Sequence, residues 1–420
     1  MSTESVTSYA VGARFRPKPL THHRITTLED LGIHLQWALC VELATIPPYL
    51  CALYSVTDTA SAAYRLVRSV ALEEMLHMMQ VANLMNSIGA TPSLAREFVP
   101  AYPGFIPHHA AGGPYIQLQR LSPELARTVF MPIEVPETSP HAPAEGDNFK
   151  TIGQFYKAIE LGFEECVRRY GEEWVFSHDT GFQRDDTYFG TGGGDLLVVH
   201  DLRTAKAAIA EITQQGEGAT VPQPPSPGEE PFGGYEYYGE RLDGTFGPIL
   251  GMPWEMSHYR KFQQIANGEV TLPDIYPMRA NPSSADLEGP VRRLSELCDA
   301  CYTLILTSLE KSFNSTDTPS FFRAAFPVMQ VALPSLATLL MQTPLLPPAD
   351  PTLGPTAGPE FAYRPQPLAD MAAEATHLLA HPPDLGRGYR QLWTHGVGRT
   401  AEVLAGALAM ERDADLGGKT

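Results

Sequence analysis

Cysteine is scarce in this 420-residue chain: five residues, an odd number with no regular spacing. That excludes a disulfide framework and fits a reducing cytoplasm, the expected compartment. Positive charge is scarce too. Thirty Lys and Arg stand against 48 Asp and Glu, for a net charge of −18, and no basic run exceeds a pair. Such a surface repels phosphate backbones, so nucleic acid is not an expected partner. Met1 to His23 holds no apolar core of the signal-peptide kind. No Gly-rich phosphate loop and no Ser/His/Asp motif rises above background. Ala324 to Ala349 carries no charge and has the length of a bilayer span, which takes ~20 apolar residues. Pro327, Gln330, Pro334, Ser335 and Gln342 interrupt it, so it reads as a buried core helix and no membrane partner is expected.

What the chain does have is a composition of 43% hydrophobic and 19% charged residues, enough for a sizeable core. Thr26 and Thr27 before Glu29-Asp30 predict a helix start. Helical spacing of Leu31, Trp37, Ala38, Val41 and Ala44 carries that helix to about Val56. Pro47-Pro48 interrupts it and removes two backbone donors, leaving the carbonyls of Leu43 and Ala44 without partners inside the helix. A second helix is predicted from Ser61 to Ile88, closed by Gly89. Residues 90–147 hold 10 prolines and read as a long crossover with little helix. Further helices are predicted at 148–170, 201–214 and 253–268, the last with Pro253 in its first turn. After Pro282 come helices at 284–313, 318–342, 368–380 and 386–411, with a Pro-rich linker at 344–367. The expected organisation is an all-α chain with a metal-binding bundle over 25–270 and a helical C-terminal domain over 284–415.

The chemistry sits in a repeated motif. Glu74-Met75-Leu76-His77 and Glu255-Met256-Ser257-His258 each place a carboxylate three residues before an imidazole. On a helix, those two side chains share a face. Two such pairs, plus one lone Glu from each of two more helices, form the ligand set of carboxylate-bridged dinuclear centres in helix bundles. Glu42 is the candidate on the first helix, because it is the only charge in the apolar stretch Trp37 to Leu50. A buried carboxylate needs a metal, a hydrogen-bond network or a raised pKa. Glu73 has the wrong offset to His77 for the motif. The third predicted helix offers Glu160, Glu164 and Glu165. At about 100° per residue they fall roughly 80°, 120° and 140° from the centre of its apolar stripe, so Glu160 is chosen. Glu217 stands as a substitute ligand or proton-handling acid, and Tyr156 as a second proton-handling group. Glu211 points away from its helix's apolar face and reads as solvated. Four Glu and two His suit two first-row transition ions, iron or manganese.

Other features carry blander readings. Cys298 and Cys301 form a lone CxxC and read as core thiols, as do Cys40 and Cys51. His34 is a possible outer partner of the site. His108-His109 read as a surface pair of the crossover loop, with a lid contribution as the alternative, and the Tyr235-Glu236-Tyr237-Tyr238 cluster reads equally as pocket lining or as aromatic loop packing. The Met75/Met78/Met79 group reads as bundle core.

With these residues in view, the chain resembles the ferritin-like domain family that includes the iminophenyl-pyruvate dimer synthase of violacein biosynthesis. Glu42-x-x-Thr45-Ile46-Pro47-Pro48-Tyr49-Leu50, Glu73-Glu74-x-x-His77, Thr151-Ile152-Gly153-x-Phe155-Tyr156, Gln215-Gly216-Glu217-Gly218 and Glu255-x-x-His258-Tyr259-x-x-Phe262 carry the likeness. Similarity continues at Phe326-x-x-Met329 and Ala357-Gly358-Pro359-x-Phe361. The chain lacks the large N-terminal region of that much longer synthase. The resemblance implies a ferritin-like four-helix bundle with long loop insertions, followed by a second helical layer. It also implies a non-haem dinuclear oxidase or oxygenase that uses O2 on a small, amino-acid-derived molecule of secondary metabolism. A homo-oligomer or a pathway partner enzyme is in keeping with it. The alternative is a ferroxidase or iron-handling stress protein without an organic substrate. A bundle that has lost its metal and serves as a scaffold is the third reading.

Overall fold

The computed structural model describes residues 24–107, 114–135, 149, 151–185, 196–216, 257–316, 321–345 and 355–417. Helix α1 (Leu28–Tyr54) starts where Thr27 accepts a hydrogen bond from the Asp30 amide at 3.0 Å. Nearly every residue from Leu31 to Leu53 is buried, because α1 is wrapped by the other bundle helices. The two prolines do not break it. Pro48 has no N–H to offer the Ala44 carbonyl, and the Tyr102 hydroxyl donates to that carbonyl at 2.8 Å instead. A side chain from the crossover thus repairs the gap that the sequence opens.

Helix α2 (Ala62–Ser87), capped by Ser61, lies along α1. Gly89 ends it with φ 73°, a left-handed conformation that glycine adopts without strain. The crossover is more structured than its prolines suggest. It holds a two-stranded antiparallel ribbon, Gly104–Phe105 against Tyr115–Ile116. It also holds α3, a helical segment over 123–133 that opens on Ser122 and Pro123 and passes through a π turn at Ala126–Phe130. Ser122 and Pro123 are a cap and a first-turn proline, so the start obeys ordinary rules. The expectation of a crossover with little helix is corrected here.

Helix α4 (Ile152–Tyr170) is capped by Thr151 and packs on α1. Helix α5 (Leu202–Gly216) packs on α4 and α2. Helix α6 (His258–Ala266) packs on α2 and α3. Ser257 is its N-cap in an extended conformation, so the helix begins at His258 and not near Pro253. The second layer comprises α7 (Gly289–Phe313), α8 (Phe321–Met341), α9 (Leu368–Ala380) and α10 (Arg387–Gly417). Its helices pack on one another and, through α7 and α8, on α2 and α1. One apolar core runs through both layers.

Among the described residues two helices, α1 and α8, are long and apolar enough to cross a membrane by length and composition. In their most apolar stretches, 89% of α1 and 56% of α8 is buried within the protein. Cys40, Cys51, Cys166, Cys298 and Cys301 are all buried and free. Burial pushes the Cys40 thiol up to about 12, which makes it a packing group and a poor nucleophile.

Candidate metal centre

Two groups of donor atoms face one another in the middle of the bundle. Glu42 from α1 and Glu74 and His77 from α2 make the first. Glu74, His258 from the start of α6 and Glu134 from the end of α3 make the second. Within each group one donor atom per residue lies within 4.8 Å of the others, and all five residues are buried. Glu74 belongs to both, so it stands where a bridging carboxylate would stand. The His77 and His258 rings lie 5.5 Å apart, nearly parallel, one on each side.

The ring nitrogens divide their work. His77 Nδ1 points to Glu42 Oε2 at 3.5 Å and Glu74 Oε1 at 3.7 Å, while its Nε2 meets Gln215 Oε1 at 2.7 Å. His258 Nδ1 lies 2.9 Å from Glu74 Oε1 and 3.5 Å from Glu134 Oε2, while its Nε2 meets Glu73 Oε2 at 2.7 Å. Each imidazole is therefore held from behind by a polar partner, the arrangement that fixes tautomer and ring orientation in metal-ligating histidines. Behind His258 the chain continues to Lys261, whose Nζ contacts Glu73 Oε1 and Oε2 at 2.8 and 2.9 Å, all fully buried. Behind His77, Gln215 Nε2 donates to Glu211 Oε1 at 3.3 Å. Glu211 is half-buried and supports the site, which corrects the reading of it as solvated.

Three hydroxyls orient the carboxylates. Thr45 donates to Glu74 Oε2 at 2.6 Å, Tyr49 to Glu134 Oε1 at 2.5 Å and Tyr156 to Glu42 Oε1. Burial, then Glu42, pushes the Tyr156 hydroxyl well above its ordinary range, so it stays protonated and donating. Burial, then Glu134, does the same for Tyr49.

The electrostatics call for cations. Burial and the adjacent Glu134 push the Glu74 carboxyl up to about 7. Burial pulls His258 down, but Glu134, Glu73 and Glu74 outweigh it and hold the imidazole well above its ordinary value. His77 is likewise raised against the pull of burial, by Glu42 and Glu74. Glu73 differs: burial opposes ionisation, yet Lys261 and His258 hold it at about 2, so it stays an anion. Protons thus occupy the groups that metal ions would occupy.

The residues present fit two such ions. Among the described residues, His258 Nδ1 is buried without a hydrogen-bond partner, although Glu74 Oε1 is only 2.9 Å away. Two groups that approach so closely without the alignment of a hydrogen bond are aimed at a shared point. Adjacent donors about 2.1 Å from one ion stand about 3 Å apart. A void of about 20 Å³ lies against Glu42, Glu74, His77 and Glu134, bounded by Ile152, Gly153 and Gly216. A Cβ on Gly216 would stand 3.2 Å from Glu134 Oε2, within the space beside the donors.

A family model described as ferritin-like matches residues 35–267, more than half of the chain. The chain belongs to the ferritin-like family. The solved ferritin-like protein from Caulobacter vibrioides is similar in fold, with a TM-score of 0.51 and 23% identity over 70% of this chain and 89% of that one. None of the curated proteins is a match. Within this ferritin-like bundle, Glu42, Glu74, His77 and His258 are brought together, with Tyr156 against Glu42. Glu160 is not brought to them. It lies at the rim of α4, with Lys157 Nζ at 2.9 Å and Lys206 Nζ at 3.1 Å. The stripe argument chose it as the acid nearest the apolar face, but that face ends where α5 packs, and Lys206 waits there. Glu217 and Glu255 lie outside the described residues, as do His108-His109 and the Tyr235–Tyr238 cluster.

Glu134 and Glu73 are what sequence reasoning missed. Glu134 follows Met131-Pro132-Ile133 in a proline-rich stretch without periodicity. Glu73 was set aside for its offset to His77, whereas its partner is His258, 185 positions further along. His34, read as an outer partner, places its Nδ1 on the Asp30 carbonyl at 2.7 Å within its own helix.

Proposed function

We propose that this protein is a non-haem dinuclear oxidoreductase, with iron as the first choice of metal and manganese as the second. The observation that carries the reading is the pair of buried carboxylate/imidazole groups sharing Glu74, with the His258 Nδ1 atom aimed into them. Glu42 and His77 would hold one ion, Glu134 and His258 the other, and Glu74 both. Oxygen-rich sets with two imidazoles suit iron and manganese. When bound, such a pair supplies one-electron chemistry with O2.

The chain's own residues shape that chemistry. Glu73 keeps His258 in the tautomer that leaves Nδ1 free to ligate, and buried Lys261 balances the charge of Glu73. Thr45, Tyr49 and Tyr156 fix the carboxylate oxygens they donate to, leaving the opposite oxygens toward the centre. Tyr156 keeps its proton in the hydrogen bond to Glu42 Oε1. The motifs shared with the family of the iminophenyl-pyruvate dimer synthase support a small, amino-acid-derived organic substrate oxidised with O2.

The second reading is a ferroxidase. The void beside the ligands, about 20 Å³ as bounded by the described residues, has room for about one water-sized molecule, which suits a reaction of metal and O2 alone. One experiment separates the readings. Protein purified without oxygen is loaded with Fe(II), and O2 uptake is followed with and without aromatic amino-acid-derived imines. Uptake that continues only while an organic substrate is present supports the oxidase. Uptake that tracks added Fe(II) alone supports the ferroxidase. Failure to retain iron or manganese would sink both.

A further inference from the structure

A second cavity lies away from the metal centre. It measures about 400 Å³ and opens between the bundle helices α1 and α2 and the second-layer helices α8 and α10. It shares no lining residue with the void at the metal ligands. Its volume falls in the range of sites for small organic molecules, and such sites favour the seams between packed units.

The walls have two characters. Leu50, Leu53, Met75, Met329, Leu333 and Leu339 give an apolar interior. Arg68, His395 and Arg399 stand at its solvent-facing side, all three exposed. Among the described residues no Asp or Glu lines the cavity, and none of these three has an acidic partner. In a chain with net charge −18, two guanidinium groups without acidic partners beside an imidazole run against the general charge. Met329 and Gln330 reach the cavity from a π turn, Val328–Ala332. Such turns are frequent at functional sites. Helix α8 is also the apolar helix left only 56% buried; Met329, Pro334 and Thr338 on it line the opening.

We propose that this cavity binds an amphipathic organic anion. Its apolar body lies between Leu50, Leu53 and Met75 on one side and Met329 and Leu333 on the other. Its carboxylate or phosphate head meets Arg68 and Arg399, whose planar guanidinium groups match either head bidentately. The site is separate from the metal centre and stands whether or not the oxidase reading does.

The test is calorimetric titration of the metal-loaded protein with decanoate, decyl phosphate and decanol. We expect saturable binding of one anion per chain, with decanol at least tenfold weaker. Tighter decanoate assigns a carboxylate head, and tighter decyl phosphate assigns a phosphate. The double variant Arg68→Gln/Arg399→Gln, in exposed positions, should weaken the anion at least tenfold with metal content unchanged. Ser335→Phe, which fills the cavity, should abolish binding with metal content likewise unchanged. Equal binding of decanol, undiminished binding by the double variant or by Ser335→Phe, or no saturable binding of either anion would overturn the proposal.

Discussion

Replacing Glu134 by Gln separates the ligand set proposed from the structure from the one that periodicity selects. Glu134 is 4% exposed and accepts from Tyr49 at 2.5 Å. Gln preserves the volume and an acceptor for Tyr49, so the variant avoids an unpaired buried hydroxyl, which would cost about 1–3 kcal/mol. What it removes is one of three clustered negative charges. Two charges about 4 Å apart repel by on the order of 4 kcal/mol at an effective dielectric of 20. At pH 8, where Glu74 is ionised, the metal-free variant sheds that repulsion together with the attraction of Glu134 for His258, 3.5 Å away, so its stability should stay close to that of metal-free wild type. Its metal affinity should fall. Loss of an outer partner alone costs about 10–100-fold in affinity, so loss of a ligand should weaken one of the two ions by at least about 100-fold. Elemental analysis after dialysis, with Mn(II) titration and urea unfolding, reads both effects. Glu160→Gln is the control. It disturbs only a pair of partly exposed lysine contacts, worth about 0–1 kcal/mol, and should keep both ions. An E134Q protein that holds two ions at wild-type affinity, or an E160Q protein that loses one, refutes the reasoning.

Three further outcomes follow from the same geometry. The Glu74 carboxyl, raised to about 7, binds a proton in the folded metal-free state that the unfolded chain releases near its ordinary value of 4.5; metal-free stability from this group therefore falls as pH rises from 4.5 to 7. Metal replaces that proton, so the rise in melting temperature on adding Mn(II) should be larger at pH 8 than at pH 5.5, and an equal or smaller rise would count against Glu74 as a ligand. Lys261→Met leaves Glu73 buried with only His258 as its partner, which should cost about 3–5 kcal/mol in urea unfolding and loosen the ion at His258; unchanged stability would show that the pair contributes nothing. Tyr102→Phe strips the hydroxyl from the Ala44 carbonyl and should cost about 1–3 kcal/mol with metal content unaffected; a neutral result would mean that another group or water satisfies that carbonyl.

Helices α1, α2 and α4, the positions of Glu42, Glu74 and His77, and the donor lost at Pro47-Pro48 are all local matters, and the sequence determined them. Three-residue spacing puts Glu74 and His77 on one face of any helix, whatever surrounds it, and threonine or serine caps start helices by bonding to amides three residues on. The other two proposed ligands, Glu134 and His258, were decided elsewhere. Glu134 reaches the centre because α3 packs against α6 and delivers a residue that belongs to no periodic pattern. Glu73 became the support of His258 because α2 and α6 lie side by side, a proximity that an offset counted along one helix cannot express. Glu160 went to Lys157 and Lys206 because α5 settled at the edge of the α4 apolar face. Spacing along a helix fixes which side chains share a face. Only the packing of helices fixes what that face meets, and a metal site is made of what meets.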